Sequence, residues 1–147
     1  MRRFKYAFQK IVDLKVNEKT QAEWMLSEAI GKVREEESSM TLLCSEKDGL
    51  QEQMGTVSAG KTTISEIMML QQFVDQVSHQ IILKNKDLQH AKRAMVTKQD
   101  VLTGKMLEEK IWSKAKDKAH QSFTAIVLKK EQEQLDEMAT NRFRRLS

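Results

Sequence analysis

From Ile67 to Ile126 an apolar residue returns every three or four positions: Ile67, Leu70, Val74, Val77, Ile81, Leu88, Ala91, Met95, Leu102, Trp112, Ala119, Phe123 and Ile126. Spacing of this kind keeps one stripe of a helix turned toward a partner helix, the seam of a coiled coil. An earlier run does the same with Phe8, Val12, Ala22, Leu26, Ala29, Val33, Met40, Leu43, Leu50, Met54 and Val57. Lys15, Lys19, Glu36 and Lys47 also occupy seam positions, where each weakens packing locally and helps to fix register. No proline interrupts either run.

The two runs are separated by Gly55 to Thr63, reading GTVSAGKTT. Two glycines among small and hydroxylated residues break a helical pattern, and Thr63 or Ser65 can cap the helix that follows, with Glu66 in its first turn. One short break between two heptad runs predicts an antiparallel hairpin. If paired residue numbers sum to a constant, a turn centred near Thr62 sets Leu43 by Ile81, Leu50 by Val74 and Val12 by Trp112. It also sets Lys15 by Glu109, which is favourable, and Lys19 by Lys105, which is not. The first helix spans about 50 residues, or ~75 Å, and the second about 75, or ~110 Å. Residues beyond about 120 are therefore left without a partner inside the hairpin, yet Phe123, Ile126, Val127, Leu128, Leu135, Met138 and Phe143 are apolar. Two explanations stand: a kinked end folding back on the N-terminus, or a protruding helix that meets another protein.

Composition agrees with long charged helices more than with a globular core: charged residues are 31% and aromatics 5% of 147 residues. The net charge of +4 is a mild excess and argues against a dedicated nucleic-acid binder. Cys44 is the single cysteine, so no intramolecular disulfide forms. No stretch approaches the ~18 apolar residues that cross a bilayer. Gly55, Gly60, Lys61 and Thr62 match the phosphate-loop pattern G-x-x-x-x-G-K-[ST]. That loop must follow a buried strand, whereas the residues before Gly55 are helical and polar, so the match reads as a turn. His79, His90 and His120 lack metal-ligand spacing, and Glu35, Glu36 and Glu37 read as a solvated face. No catalytic residue, cofactor or metal is expected, and the chain does not read as an enzyme.

Three segments resemble the flagellar export protein FliJ family. The first is Phe8-Gln9-Lys10-Ile11-Val12-Asp13-Leu14-Lys15, followed by Asn17-Glu18-Lys19; the second is Gln71-Gln72-Phe73-Val74-Asp75-Gln76-Val77; the third is Leu135-Asp136-Glu137-Met138-Ala139, followed by Arg142. The similarity runs in matching order along nearly the whole chain. It implies a cytoplasmic protein, peripherally associated with the membrane at the flagellar base, that binds the export ATPase FliI as a central stalk, contacts the export-gate protein FlhA and escorts export chaperones. The resemblance places the gate contact on Gln71, Gln72, Phe73 and Val77. Phe73 falls beside the seam, where it is either a contact hot spot or a cover for the seam edge. By analogy the ATPase contact lies at the end holding both termini, on Leu128, Leu135, Asp136, Met138, Arg142 and Phe143. The basic start, Arg2, Arg3, Lys5 and Lys10, brings Phe4 and Phe8 either into the seam or onto anionic lipid.

The expectation is therefore an all-α, two-helix antiparallel coiled-coil hairpin forming a single domain over residues 1–147, with helix one at about 5–55, a turn at about 56–64 and a longer, protruding helix two at about 65–142. Free in solution it is expected to be a monomer, with no nucleic-acid partner and no transmembrane insertion. The alternatives are the stalk of a virulence type III secretion system and an unrelated coiled-coil adaptor or chaperone.

Overall fold

The computed structural model describes residues 3–60 and 62–146. It is an all-α helical hairpin of two helices, α1 at Gln9–Ser58 and α2 at Ile64–Leu146, with no strand among the described residues. Arg2 and Lys61, named above for the basic start and the phosphate-loop match, lie outside the described residues.

Local chemistry explains the boundaries. The Phe8 carbonyl accepts from the N–H groups of Ile11 and Val12 at 3.0 and 3.1 Å, opening α1 four residues later than expected. At the other end the Gly60 N–H donates to the Val57 carbonyl at 3.2 Å, and the Thr62 hydroxyl donates to the same oxygen. Thr63 caps α2: the Glu66 N–H donates to its side-chain oxygen at 3.4 Å and to its carbonyl at 3.1 Å. Thr63 and Glu66 stand three apart, the spacing of a capping box, and the Glu66 carboxylate favours the positive end of the helix dipole. α1 thus ends at Ser58 and α2 begins at Ile64, so both helices reach further into the expected turn than the glycines suggested.

The chain packs as two compact units, Ala22–Leu102 and Met1–Gln21 with Thr103–Ser147. In the first, Val33, Leu88 and Ala91 form a buried cluster with Met95 packed against it, and Ala22, Val74, Val77 and Leu102 are buried as the repeat requires. Glu36 is buried too, with Lys84 Nζ 2.9 Å from its Oε2 and Lys32 Nζ 3.2 Å from its Oε1. Glu35 and Glu37 are the solvated residues of that acidic run; Glu36 is not. The Lys84 contact lies off the direction of a good hydrogen bond, so charge more than directionality holds the pair.

In the second unit Val12 is buried and ion pairs bridge the two helices. Lys15 reaches Glu108 at 3.1 Å, Lys105 reaches Glu18 at 3.2 Å, and Lys19 reaches Glu109 at 3.8 Å. This corrects the expected pairs: Glu109 serves Lys19 instead of Lys15, and Lys105 meets a carboxylate instead of Lys19. Lys19 and Lys105, expected to face each other, are each compensated by a carboxylate of the opposite helix.

Residues 3–8 are not helical, and the rings of Phe4 and Phe8 lie against α2, with Tyr6 between them. Phe4 is 5.5 Å from Phe123 and 4.8 Å, edge-on, from His120, measured between ring centres; Phe8 is 6.0 Å from Trp112. Phe123 therefore has a partner, contrary to the expectation for residues beyond 120. Ile126 is 56% exposed and does not continue the seam, while Val127 is half-buried. From Leu128 to Leu146 every residue is exposed, and α2 runs through to Leu146 as one helix, which excludes the kinked, folded-back end.

Candidate interaction surfaces

The phosphate-loop match has neither the backbone nor the free groups that phosphate binding needs. Gly55 sits within α1, and the hydroxyl of Thr62 is committed to the Val57 carbonyl. A cradle of successive N–H groups cannot form where those groups belong to a helical turn. No cluster of three metal-ligating side chains occurs among the described residues.

The segment from Gln71 to Val77 divides into inward and outward residues. Val74 and Val77 are 6% and 5% exposed and belong to the seam. Val77 therefore anchors this stretch of helix and offers no surface of its own. Gln71 is exposed, its Nε2 donating to Asp75 Oδ1 at 2.9 Å one turn on. Gln72 lines a shallow groove with Asp75, Gln76, His79 and Gln80. Phe73, 46% exposed beside buried Val74, presents half its ring to solvent. A half-exposed aromatic held by a buried neighbour is rigid and apolar, a good anchor for a partner.

Two and three turns beyond Phe73, Gln80 and Lys84 share a second groove of about 430 Å³ with Ser39, Leu42, Leu43, Leu83 and Asp87. The pattern reading missed Leu42 and Leu83, which are 69% and 47% exposed. Their signal was present as surplus apolar residues beside seam residues, Leu42 next to Leu43 and Leu83 following Ile81 and Ile82. Contact with Glu36 raises the Lys84 pKa above its usual value despite partial desolvation. Contacts with Lys84 and then Lys32 hold the Glu36 carboxyl below its usual range. In the other unit the hydrogen bond to Glu108 raises Lys15, and the hydrogen bond from Lys105 lowers Glu18.

Leu128, Leu135, Asp136, Met138, Arg142 and Phe143 all lie on the exposed end of α2. Leu135, Met138, Ala139, Arg142, Phe143 and Leu146 line one shallow groove, because their spacing of three and four returns them to one face. Leu128 stands two turns before Leu135 and is 60% exposed, Phe143 75%. Asp136 flanks the stripe: its carbonyl accepts from the Thr140 hydroxyl at 2.9 Å, and its Oδ1 accepts from Gln132 Nε2 at 3.4 Å. This end of α2 is thus amphipathic without a partner helix among the described residues.

Comparison with known proteins gives one consistent outcome. The family model described as Flagellar FliJ protein matches residues 4–146. The chain is similar to the Flagellar FliJ protein of Bacillus subtilis (strain 168), with 28% identity over 143 residues that cover 95% of each chain. No solved structure matches.

Proposed function

The chain belongs to the FliJ family of flagellar proteins, and from that premise we propose that it serves as the central stalk of the flagellar export ATPase. Family membership makes it a component of the flagellar protein-export apparatus. The stalk role rests on one observation. Leu128, Leu135, Met138 and Phe143, 60–75% exposed, occupy a helix end that nothing else in the described chain covers. Exposed apolar stripes of this kind mark protein contacts. A single helix end is also slender enough to enter a ring of subunits. Arg142 within the groove and Asp136 beside it can satisfy polar groups of a partner.

A second contact, with the export-gate protein FlhA, uses Gln71, Gln72 and Phe73, with Val77 holding them in place from the seam. Export chaperones are further partners, and the protein works peripherally at the membrane on the cytoplasmic side of the flagellar base. The flagellar family match favours this reading over the stalk of a virulence secretion system. A non-catalytic role agrees with the family and with the helical context of Gly55.

The test is co-purification with the flagellar export ATPase FliI, scored for association, ring assembly and ATP hydrolysis. Truncation after Lys130 is expected to abolish association and return hydrolysis to that of the ATPase alone. Association that survives the truncation sinks the assignment of the contact to this end of α2.

A further inference from the structure

The charge of the chain is divided unevenly. Residues 1–21 and 103–147 together carry 16 lysines and arginines against 9 acidic residues, whereas residues 22–102 carry 9 against 12. The net +4 of the whole chain conceals a strongly basic unit. Within that unit part of the charge is focused on one face of α2. Leu107, Lys110, Ile111, Lys114 and Lys118 fall within an arc of about 100°, opposite the side that carries Trp112 and Ala119 toward α1.

All five are exposed, Leu107 at 57% and Ile111 at 66%. None of the three lysines forms an ion pair among the described residues. Asp117 lies roughly 20° outside the arc. The face is therefore a cationic strip about 16 Å long, with Leu107 at its start and Ile111 along one edge. Neither the hairpin seam nor the terminal stripe uses it.

From this face we infer that the chain docks directly on an anionic lipid surface, with α2 lying along it from Leu107 to Lys118. Phosphate headgroups supply the charge that the unpaired lysines lack, and the aliphatic pair inserts at the boundary of headgroup and acyl chain. Lysine is a flexible point charge suited to a diffuse anionic plane. A carboxylate-rich protein surface is better matched by arginine's fixed fork, and a protein hot spot by an aromatic ring. The strip contains neither. The inference deepens the peripheral membrane location proposed above by naming a lipid contact for it, and it is independent of the stalk assignment, because purified protein and vesicles are enough to test it.

The experiment is co-sedimentation of the full chain with vesicles of mixed phosphatidylglycerol and phosphatidylcholine, against vesicles of phosphatidylcholine alone. Binding is expected only to the anionic vesicles and is expected to weaken with added salt. A lysine at an anionic surface contributes roughly a fivefold gain, so the triple variant Lys110→Gln, Lys114→Gln, Lys118→Gln is expected to lose about a hundredfold in partitioning. Leu107→Gln with Ile111→Gln is expected to weaken binding while leaving its salt dependence. These positions are exposed, and unchanged helical circular dichroism confirms that the hairpin is intact. Absence of binding to anionic vesicles at low salt overturns the inference, as does equal binding by the triple variant. Binding to polyglutamate with none to vesicles assigns the face to an acidic protein instead, and also overturns it.

Discussion

Glu36 stands where the repeat expects an aliphatic side chain, and Lys84 stands at the corresponding position of α2. A pair with one buried partner does little for stability compared with two well-packed apolar residues, but losing Glu36 leaves half-buried Lys84 without its ion pair, and losing Lys84 leaves buried Glu36 with the exposed Lys32 alone. Glu36→Leu alone and Lys84→Met alone are each expected to lower the urea midpoint. The double variant is expected to recover most of the loss or exceed the parent, and a double variant weaker than both single variants would contradict this account. The same residues set the pH response. The Glu36 and Glu18 carboxyls titrate below their ordinary 4.5, so their stabilisation is complete above that value and disappears as pH falls through the lowered one. Lys84 and Lys15 titrate above 10.5, so their stabilisation is complete below it and disappears as pH rises through the raised value. Denaturation monitored across pH is expected to show a plateau between these limits, with the acid limb shallower in the double variant. Neighbouring seam residues behave differently: Leu88→Ala leaves a cavity between Val33 and Ala91 and is expected to cost about 2–4 kcal/mol at any pH on the plateau.

At the scale of the helix, the two ends of α2 are stabilised by opposite means. Its start depends on Thr63, which satisfies the Glu66 amide. Thr63→Ala is expected to cost about 1 kcal/mol and to speed amide exchange at Glu66 and Ile67. Its last turns have no neighbouring helix among the described residues. Helix propensity alone is marginal over such a length, so residues 130–146 are expected to exchange their amides much faster than residues 74–102. Binding of a partner is expected to slow exchange in that segment selectively. An end that exchanges as slowly as the seam in the free protein would mean that it already has a partner, such as a second copy of the chain.

For the molecule as a whole, the hairpin was legible because a heptad repeat is a geometric statement: it names the residues that must leave water together. Val33, Leu88, Ala91 and Leu102 are buried as their spacing requires. Pairing across the seam was less legible. Registers that differ by a few residues satisfy nearly the same apolar pattern, and long side chains can choose between neighbouring partners, as Lys15 does in reaching Glu108 where Glu109 was expected. The aromatic start was invisible to periodicity because Phe4, Tyr6 and Phe8 pack from a non-helical segment. Candidate contacts were legible only where a residue departs from the seam: Phe73 does so and Val77 does not. Phe73 belongs to one compact unit and the terminal stripe to the other, so the proposed contacts are expected to be separable by mutation. Phe73→Ala removes a half-exposed ring without opening the buried seam. It is expected to weaken gate binding by about 2 kcal/mol, the loss typical of an aromatic hot spot, while leaving helical circular dichroism and ATPase association unchanged. Truncation after Lys130 is expected to do the reverse. Calorimetric titration of each variant against the cytoplasmic part of FlhA, beside co-purification with FliI, distinguishes the cases. Unchanged gate affinity in Phe73→Ala returns that ring to the role of covering the seam edge, and joint loss of both contacts in either variant would show that the two surfaces act as one.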